Sequence, residues 1–292
     1  MTTDGQRDSR EILACLIVDD PLLRPRYGFL DYGRLLHEMR LHGFFTEIAF
    51  IPWNYRRSDP DTVRLISTNT DHYALCIHGC NHMGNEFGGT SYDELSALST
   101  TALWRMEQHA RITGLPYDPV MVFPQGHFSS AAMRALRDTG YVAAFNSTLE
   151  ATDCAAVPAA EYRHPATRMY GDFPLFLRRY PTDRSGFLED VACGRPVLVV
   201  AHQDAFRHGY KPVTDFVDWV NGLGNVKWAS LSAIAEHYLE AKAPRATRRV
   251  VPSRLPLRLT ARAAARRLLS EVRDEYVDRN ELLSRVYRAV RG

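Results

Sequence analysis

Ile12-Leu13-Ala14-Cys15-Leu16-Ile17-Val18-Asp19-Asp20 and Tyr73-Ala74-Leu75-Cys76-Ile77-His78 decide how the rest of the chain is read. Each is a short apolar run without polar alternation, and each ends on an acid or an imidazole. A strand apolar on both faces belongs to a parallel sheet covered on both sides. Comparable runs follow at Thr46–Trp53, Val120–Pro124, Tyr141–Phe145, Phe173–Arg178, Pro196–Ala201 and Val226–Ala229. Stretches of helical spacing lie between them, at Phe29–His42, Asp93–Ile112, Ser130–Asp138 and Val213–Leu223. Ser91 with Glu94 reads as a capping box, and Gly114, Gly140 and Gly224 stand where left-handed residues would end helices. Alternation of this kind predicts an α/β fold: a distorted (β/α) barrel of about seven to eight parallel strands, with the irregular stretch 147–172 interrupting the pattern.

The length of 292 residues suits one such barrel with an extension, and 45% hydrophobic with 24% charged residues is an ordinary globular mix. The barrel is expected over 1–243. Pro244, Pro252 and Pro256 then interrupt an Arg-rich linker, and Leu259–Val290 reads as amphipathic, so 244–292 is expected to form a linker and a C-terminal helical extension. Thirteen arginines against five acids fall in residues 245–292, which leaves the body net acidic although the whole chain is +2. An acidic body argues against nucleic acid as a partner. The basic extension suits a peripheral contact with an anionic membrane or packing against a second copy. Five scattered cysteines read as reduced thiols, and the polar start MTTDGQRDSRE lacks the pattern of a secretory signal, so a cytoplasmic location is expected.

Catalytic groups of a parallel barrel gather at the carboxyl ends of its strands. The first strand delivers Asp19 and Asp20, the third His78 with His82 four residues on, the fourth the turn Pro124-Gln125-Gly126, and the seventh His202 with Asp204. Adjacent carboxylates after an apolar strand repel one another unless a cation lies nearby. Two imidazoles and one carboxylate form a facial set that leaves positions open for water and substrate. The bland readings are a solvated loop for the acids and a satisfied core pair for the histidines. Asp204, two residues after His202, would project to the same side if the strand continued. Trp53 and Asn54 at the end of the second strand read either as core or as a sugar-stacking platform. Cys80 reads as structural, and His127 and His208 border the rim.

This order of motifs resembles the polysaccharide deacetylase, or NodB-homology, superfamily over most of residues 12–240. The resemblance implies a distorted (β/α) barrel and a metal-dependent deacetylase. It implies Asp19 as catalytic base, Asp20, His78 and His82 as metal ligands, Pro124 to Gly126 as the oxyanion loop, and His202 as general acid. The chain departs from the family pattern in three places. Gly79 follows the first histidine where Ser or Thr is usual, in a variant that also carries Glu86-Phe87 downstream. The Arg that normally precedes the Pro-x-Gly turn is missing, with Arg178 or Arg179 as the replacement. The Asp-Trp motif is absent, with Asp172-Phe173-Pro174 in its region.

The expected reaction is removal of an acetyl group from an N-acetylated amino sugar or glycoconjugate, small or lipid-linked, with one divalent ion. Zinc is the first choice from the mixed ligands, and Fe, Co, Ni or Mn also suit them. Trp53, Asn54, Glu86, Arg178 and Asp204 are the candidate substrate contacts. Two other classes use the same residues: a non-haem Fe(II) oxygenase on the two-His-one-carboxylate site, and an inactive glycan-binding barrel.

Overall fold

The computed structural model describes residues 11–153 and 168–239, together with Leu269. All eight expected strands are present. Seven run parallel around a ring: β1 (Ile12–Asp19), β4 (Thr46–Phe50), β5 (Tyr73–His78), β6 (Val120–Val122), β7 (Ala143–Asn146), β9 (Phe173–Leu177) and β10 (Val197–Ala201), with β10 paired back onto β1. Closure between β9 and β10 is slight. Arg179 bridges Val199, with Arg179 N donating to Leu198 O and Val200 N to Arg179 O, each at 2.8 Å. The eighth expected strand, β11 (Val226–Trp228), pairs with Ile12–Ala14, ahead of the point where β4 takes up β1 at Leu16.

Three short strands escape the sequence reading. Arg26–Tyr27 (β2) and Leu30–Asp31 (β3) form a two-residue hairpin after β1, and Arg168–Tyr170 (β8) runs antiparallel to β9. They are too short for periodicity to register. The expected helices appear as α1 (Tyr32–His42), α3 (Tyr92–Thr113), α4 (Ser130–Thr139) and α6 (Lys211–Asn221), joined by α2 (Pro60–Ser67), α5 (Arg184–Ala192) and α7 (Leu231–Leu239). Ser91 caps α3 by accepting from Glu94 N, and Gly114 and Gly140 are left-handed stops. Gly224 is not: α6 ends at Gly222 with right-handed dihedrals, and Gly224 sits in the turn into β11.

Alternate residues of each strand face two cores. Leu16, Val18, Ile48, Leu75, Ile77 and Met121 pack under the helices, while Leu13, Cys15, Ile17, Ala49, Cys76, Val122 and Phe145 fill the barrel. Leu231, Ile234, Ala235 and Tyr238 of α7 join the inner core, so this helix plugs the barrel. Glu47 on β4 is fully buried and accepts from Leu231 N at 3.0 Å, and Asp118 accepts from Ser232 N at 2.8 Å. Two acidic side chains thus accept from the first turn of the plug. Among the described residues, Cys15, Cys76 and Cys80 are buried free thiols and Cys193 is an exposed one. No helix among them is long and apolar enough to cross a membrane. The expected boundary at 243/244 and the C-terminal extension lie outside the described residues apart from Leu269.

Candidate active site

β1 ends in a buried Asp19, 3% exposed, followed by Asp20 with φ of +73°. That left-handed turn separates two side chains that would otherwise diverge only by strand alternation. Asp20 Oδ1 lies 3.1 Å from His78 Nε2 and 2.9 Å from His82 Nε2. His78, the last residue of β5, is 2% exposed, and its Nδ1 lies 2.9 Å from Val122 O on β6. A carbonyl only accepts, so Nδ1 carries a proton, and unless Nε2 is protonated too its lone pair faces a carboxylate. Asp20 Oδ1 is itself buried without a hydrogen-bond partner.

Lone pairs facing one another at such distances require positive charge between them. A proton on each ring supplies some; a divalent cation satisfies all three atoms at once. Ligand bonds of about 2.0–2.2 Å place neighbouring donor atoms roughly 3 Å apart, which the observed separations match. Among the described residues, Asp20, His78 and His82 are the one group of His, Cys, Asp or Glu with donor atoms gathered closely enough, within 4.8 Å of one another, to hold a metal ion. Burial works to raise the Asp20 carboxyl, but the two imidazoles outweigh it and hold the group well below the usual carboxylate range.

Asp19 faces a different set of partners. Its Oδ1 accepts from Arg178 Nη1 at 2.7 Å, and its Oδ2 lies 3.8 Å from His202 Nε2. Burial alone would raise its pKa, but the Arg178 guanidinium and then His78 and His202 bring it below the ordinary value. Of the two arginines offered by the sequence, Arg178 is the one beside Asp19. Arg179 binds Asp190 and Asp183 instead. His202 follows β10, is 41% exposed, and lies parallel to the Tyr180 ring, with centroids 6.5 Å apart and an interplanar angle of 11°.

The remaining predicted contacts divide. Pro124, Gln125 and Gly126 form a tight turn after β6, with Gln125 at φ +58° and Asn146 Nδ2 donating to Gly126 O at 2.9 Å. Glu86 spends its carboxylate on the loop that carries His82, accepting from the backbone N–H groups of Cys80, Asn81 and His82. Asn54 is buried and accepts from Arg57. Trp53 is half-buried, with the Arg105 guanidinium 5.3 Å from its ring centroid. Asp204 does not join His202 as expected: β10 stops at Ala201, so strand alternation no longer applies, and Asp204 binds Arg207 at 2.8 Å. Cys80 is buried, with Arg105 Nη1 3.4 Å from its Sγ, in keeping with a structural role.

Two residues of the site were missed in the sequence. Tyr180 lies in a loop and carries no pattern. Arg105 left a signal, a cation on a helix whose neighbours Leu103 and Met106 are core. The backbone marks the site independently. The four described non-glycine residues with positive φ, Asp20, His82, Asn85 and Gln125, all stand in the three loops just described, and backbone strain of this kind clusters where function over-determines geometry.

A parallel barrel with an Asp-His-His cluster and an Arg-held aspartate at its carboxyl end gathers candidate metal ligands and an acid–base group at one mouth. Among solved structures, the chain is similar to a Mycobacterium smegmatis protein assigned as a polysaccharide deacetylase. The TM-score is 0.55 at 17% identity, over 82% of this chain and 94% of that one. It is also similar to a Pseudomonas aeruginosa PAO1 protein assigned likewise, with a TM-score of 0.51 at 13% identity over 80% and 93% of the two chains. No family model and no curated protein matches the sequence. The chain shares the fold of these two proteins.

Proposed function

We propose that this protein is a metal-dependent deacetylase that hydrolyses the acetamide of an N-acetylated amino sugar or glycoconjugate. The reading is carried by one juxtaposition: a buried aspartate held by an arginine, adjacent in sequence to the carboxylate of an Asp-His-His cluster. The fold supports a deacetylase, and the descriptions of its structural neighbours favour a carbohydrate substrate.

Asp20, His78 and His82 would hold the ion, with zinc the first choice for two nitrogens and one oxygen. Such an ion supplies Lewis-acid polarisation of the acyl carbonyl and makes water acidic enough to lose a proton near neutral pH. Asp19 takes that proton on Oδ2, because Oδ1 is occupied by Arg178. Arg178 keeps the carboxylate ionised in a buried setting where it would otherwise protonate. The turn Pro124–Gly126 stands beside the cluster to receive charge developing on the carbonyl oxygen. His202, partly open to solvent, gives a proton to the departing nitrogen, which leaves poorly as an anion.

The test is acetate release from N-acetylglucosamine oligomers by zinc-loaded protein. Release that needs the metal and falls at least about 100-fold in Asp19→Asn is expected. No release by the loaded wild type on any N-acetylated sugar, or metal-dependent oxygen uptake, overturns the reading.

A further inference from the structure

His78 and His82 are placed by different means. His78 ends a strand and its ring is anchored on Val122 O. His82 stands in a loop at φ +56°, so where its imidazole lies depends on the backbone path of residues 79–81. Ligand groups must be held to within about half an ångström for a site to bind well. Something must therefore hold that loop.

The groups that do so are on the page. Cys80, Asn81 and His82 direct three consecutive N–H groups at one carboxylate: Glu86 Oε2 accepts from Cys80 at 2.9 Å and His82 at 3.2 Å, and Oε1 accepts from Asn81 at 2.7 Å. Successive amides converging on an anion form a nest, and bonds to an ionised acceptor are stronger than neutral ones. Arg105, buried on α3, donates from Nη1 to Cys80 O at 3.0 Å and to Asn81 Oδ1 at 2.7 Å. Glu86 is anchored in turn by Phe87, which is fully buried against Phe123 and whose carbonyl accepts from Ser129 N.

Gly79 completes the device. Its φ is +64°, and a Cβ there would come within 2.8 Å of Glu86 Oε2 and 2.9 Å of Pro124 Cγ. Glycine follows the first histidine because the Glu86 carboxylate and the Pro124 ring already fill the space a side chain would need.

We infer that Glu86 is a positioning residue that fixes His82 in ligating geometry before any cation arrives, with Gly79 as the gap that admits its carboxylate. The inference rests on reading Asp20, His78 and His82 as a metal site. It predicts that cation affinity, and not merely stability, depends on a residue that touches no cation.

The experiment titrates metal-free full-length protein with Zn²⁺ and with Co²⁺, following the Co²⁺ visible spectrum, and records the melting temperature of each metal-free form. Wild type is expected to bind one ion. Glu86→Gln keeps size but offers an amide NH₂ where the nest needs an acceptor, and is expected to lose about 10- to 100-fold in affinity, the usual cost of a partner that orients a ligand. Its Co²⁺ bands should shift, while the metal-free protein still melts cooperatively. Gly79→Ala should act in the same direction by displacing the carboxylate, and decides the matter alone if Glu86→Gln does not fold. Affinity and spectrum unchanged in both variants, with wild type binding, overturn the role of Glu86. A wild type that binds neither ion overturns the metal-site reading itself.

Discussion

Arg178 Nη1 and Asp19 Oδ1 lie 2.7 Å apart, and both side chains are only 3% exposed although 159 positions separate them in the chain. The guanidinium comes from the residue just after β9, the strand that barely closes the ring onto β10. The charge is therefore supplied from the next strand but one, with β10 between, and the pairing ties the closure of the barrel to the Asp19 carboxylate.

That geometry makes a non-additive prediction. Arg178→Met leaves Asp19 as an unpaired buried charge and is expected to destabilise by about 3–5 kcal/mol, with acetate release reduced at least about 100-fold. Adding Asp19→Asn removes the stranded charge, so the double variant should recover a substantial part of the stability and none of the activity. Urea denaturation of the two single variants and the double one measures the coupling. Additive stability losses would show that the pair does not interact as the distance indicates.

The parts of the fold legible in the sequence were those with a period. Eight strands and four helices stood out because apolar runs and three- to four-residue spacings are set locally by which face is buried. Asp20, His78 and His82 could be collected for a similar reason: a parallel strand puts its last residue at a known end of the barrel. What stayed hidden was set by contacts between distant segments. No spacing rule tells Arg178 from Arg179, because the choice depends on which one meets Asp19 and which meets Asp183 and Asp190. Glu86 read as a candidate substrate contact because only the folded loop reveals its amide partners. Asp204 would share a face with His202 only if the strand ran three residues past Ala201, where β10 ends.

Gln125 offers a test of strain at the turn Pro124–Gly126. It holds φ +58° and ψ 10°, a left-handed conformation costing a non-glycine residue roughly 1–2 kcal/mol, and its side chain returns only a long contact, accepting from Asn85 N at 3.4 Å. Gln125→Gly should therefore stabilise the protein by up to about 1 kcal/mol, and Gln125→Val, branched at Cβ, should destabilise it by more than that. Activity is expected to fall in the glycine variant, since the turn loses its enforced geometry. Thermal melts of the three proteins check the ranking. A glycine variant less stable than wild type would mean that the Asn85 contact outweighs the strain.

Glu47 gives a pH dependence whose sign follows from its place inside the barrel. Burial, then the neighbouring Asp118 charge, pushes its carboxyl well above the ordinary value, while Leu231 N–H, which it caps, pulls only partly the other way. An acid whose folded pKa exceeds its unfolded one, about 4.3, is protonated in the native protein over a range where the denatured chain has released the proton. The native state then binds more protons, so stability is complete below pH 4 and is lost as pH rises toward the folded value, at up to about 1.4 kcal/mol per unit. Glu47→Gln retains an acceptor for Leu231 N–H and removes the titration. The variant should match wild type near pH 4.5 and become more stable than it as pH rises above 5 toward the folded value of Glu47. Asp118, also raised by burial, remains in both proteins and leaves a shared slope that cancels in the comparison. Urea midpoints at pH 5, 6.5 and 8 measure the difference. A gap that does not widen with pH would mean that Glu47 is ionised in the folded barrel and that α7 is capped by a charged carboxylate.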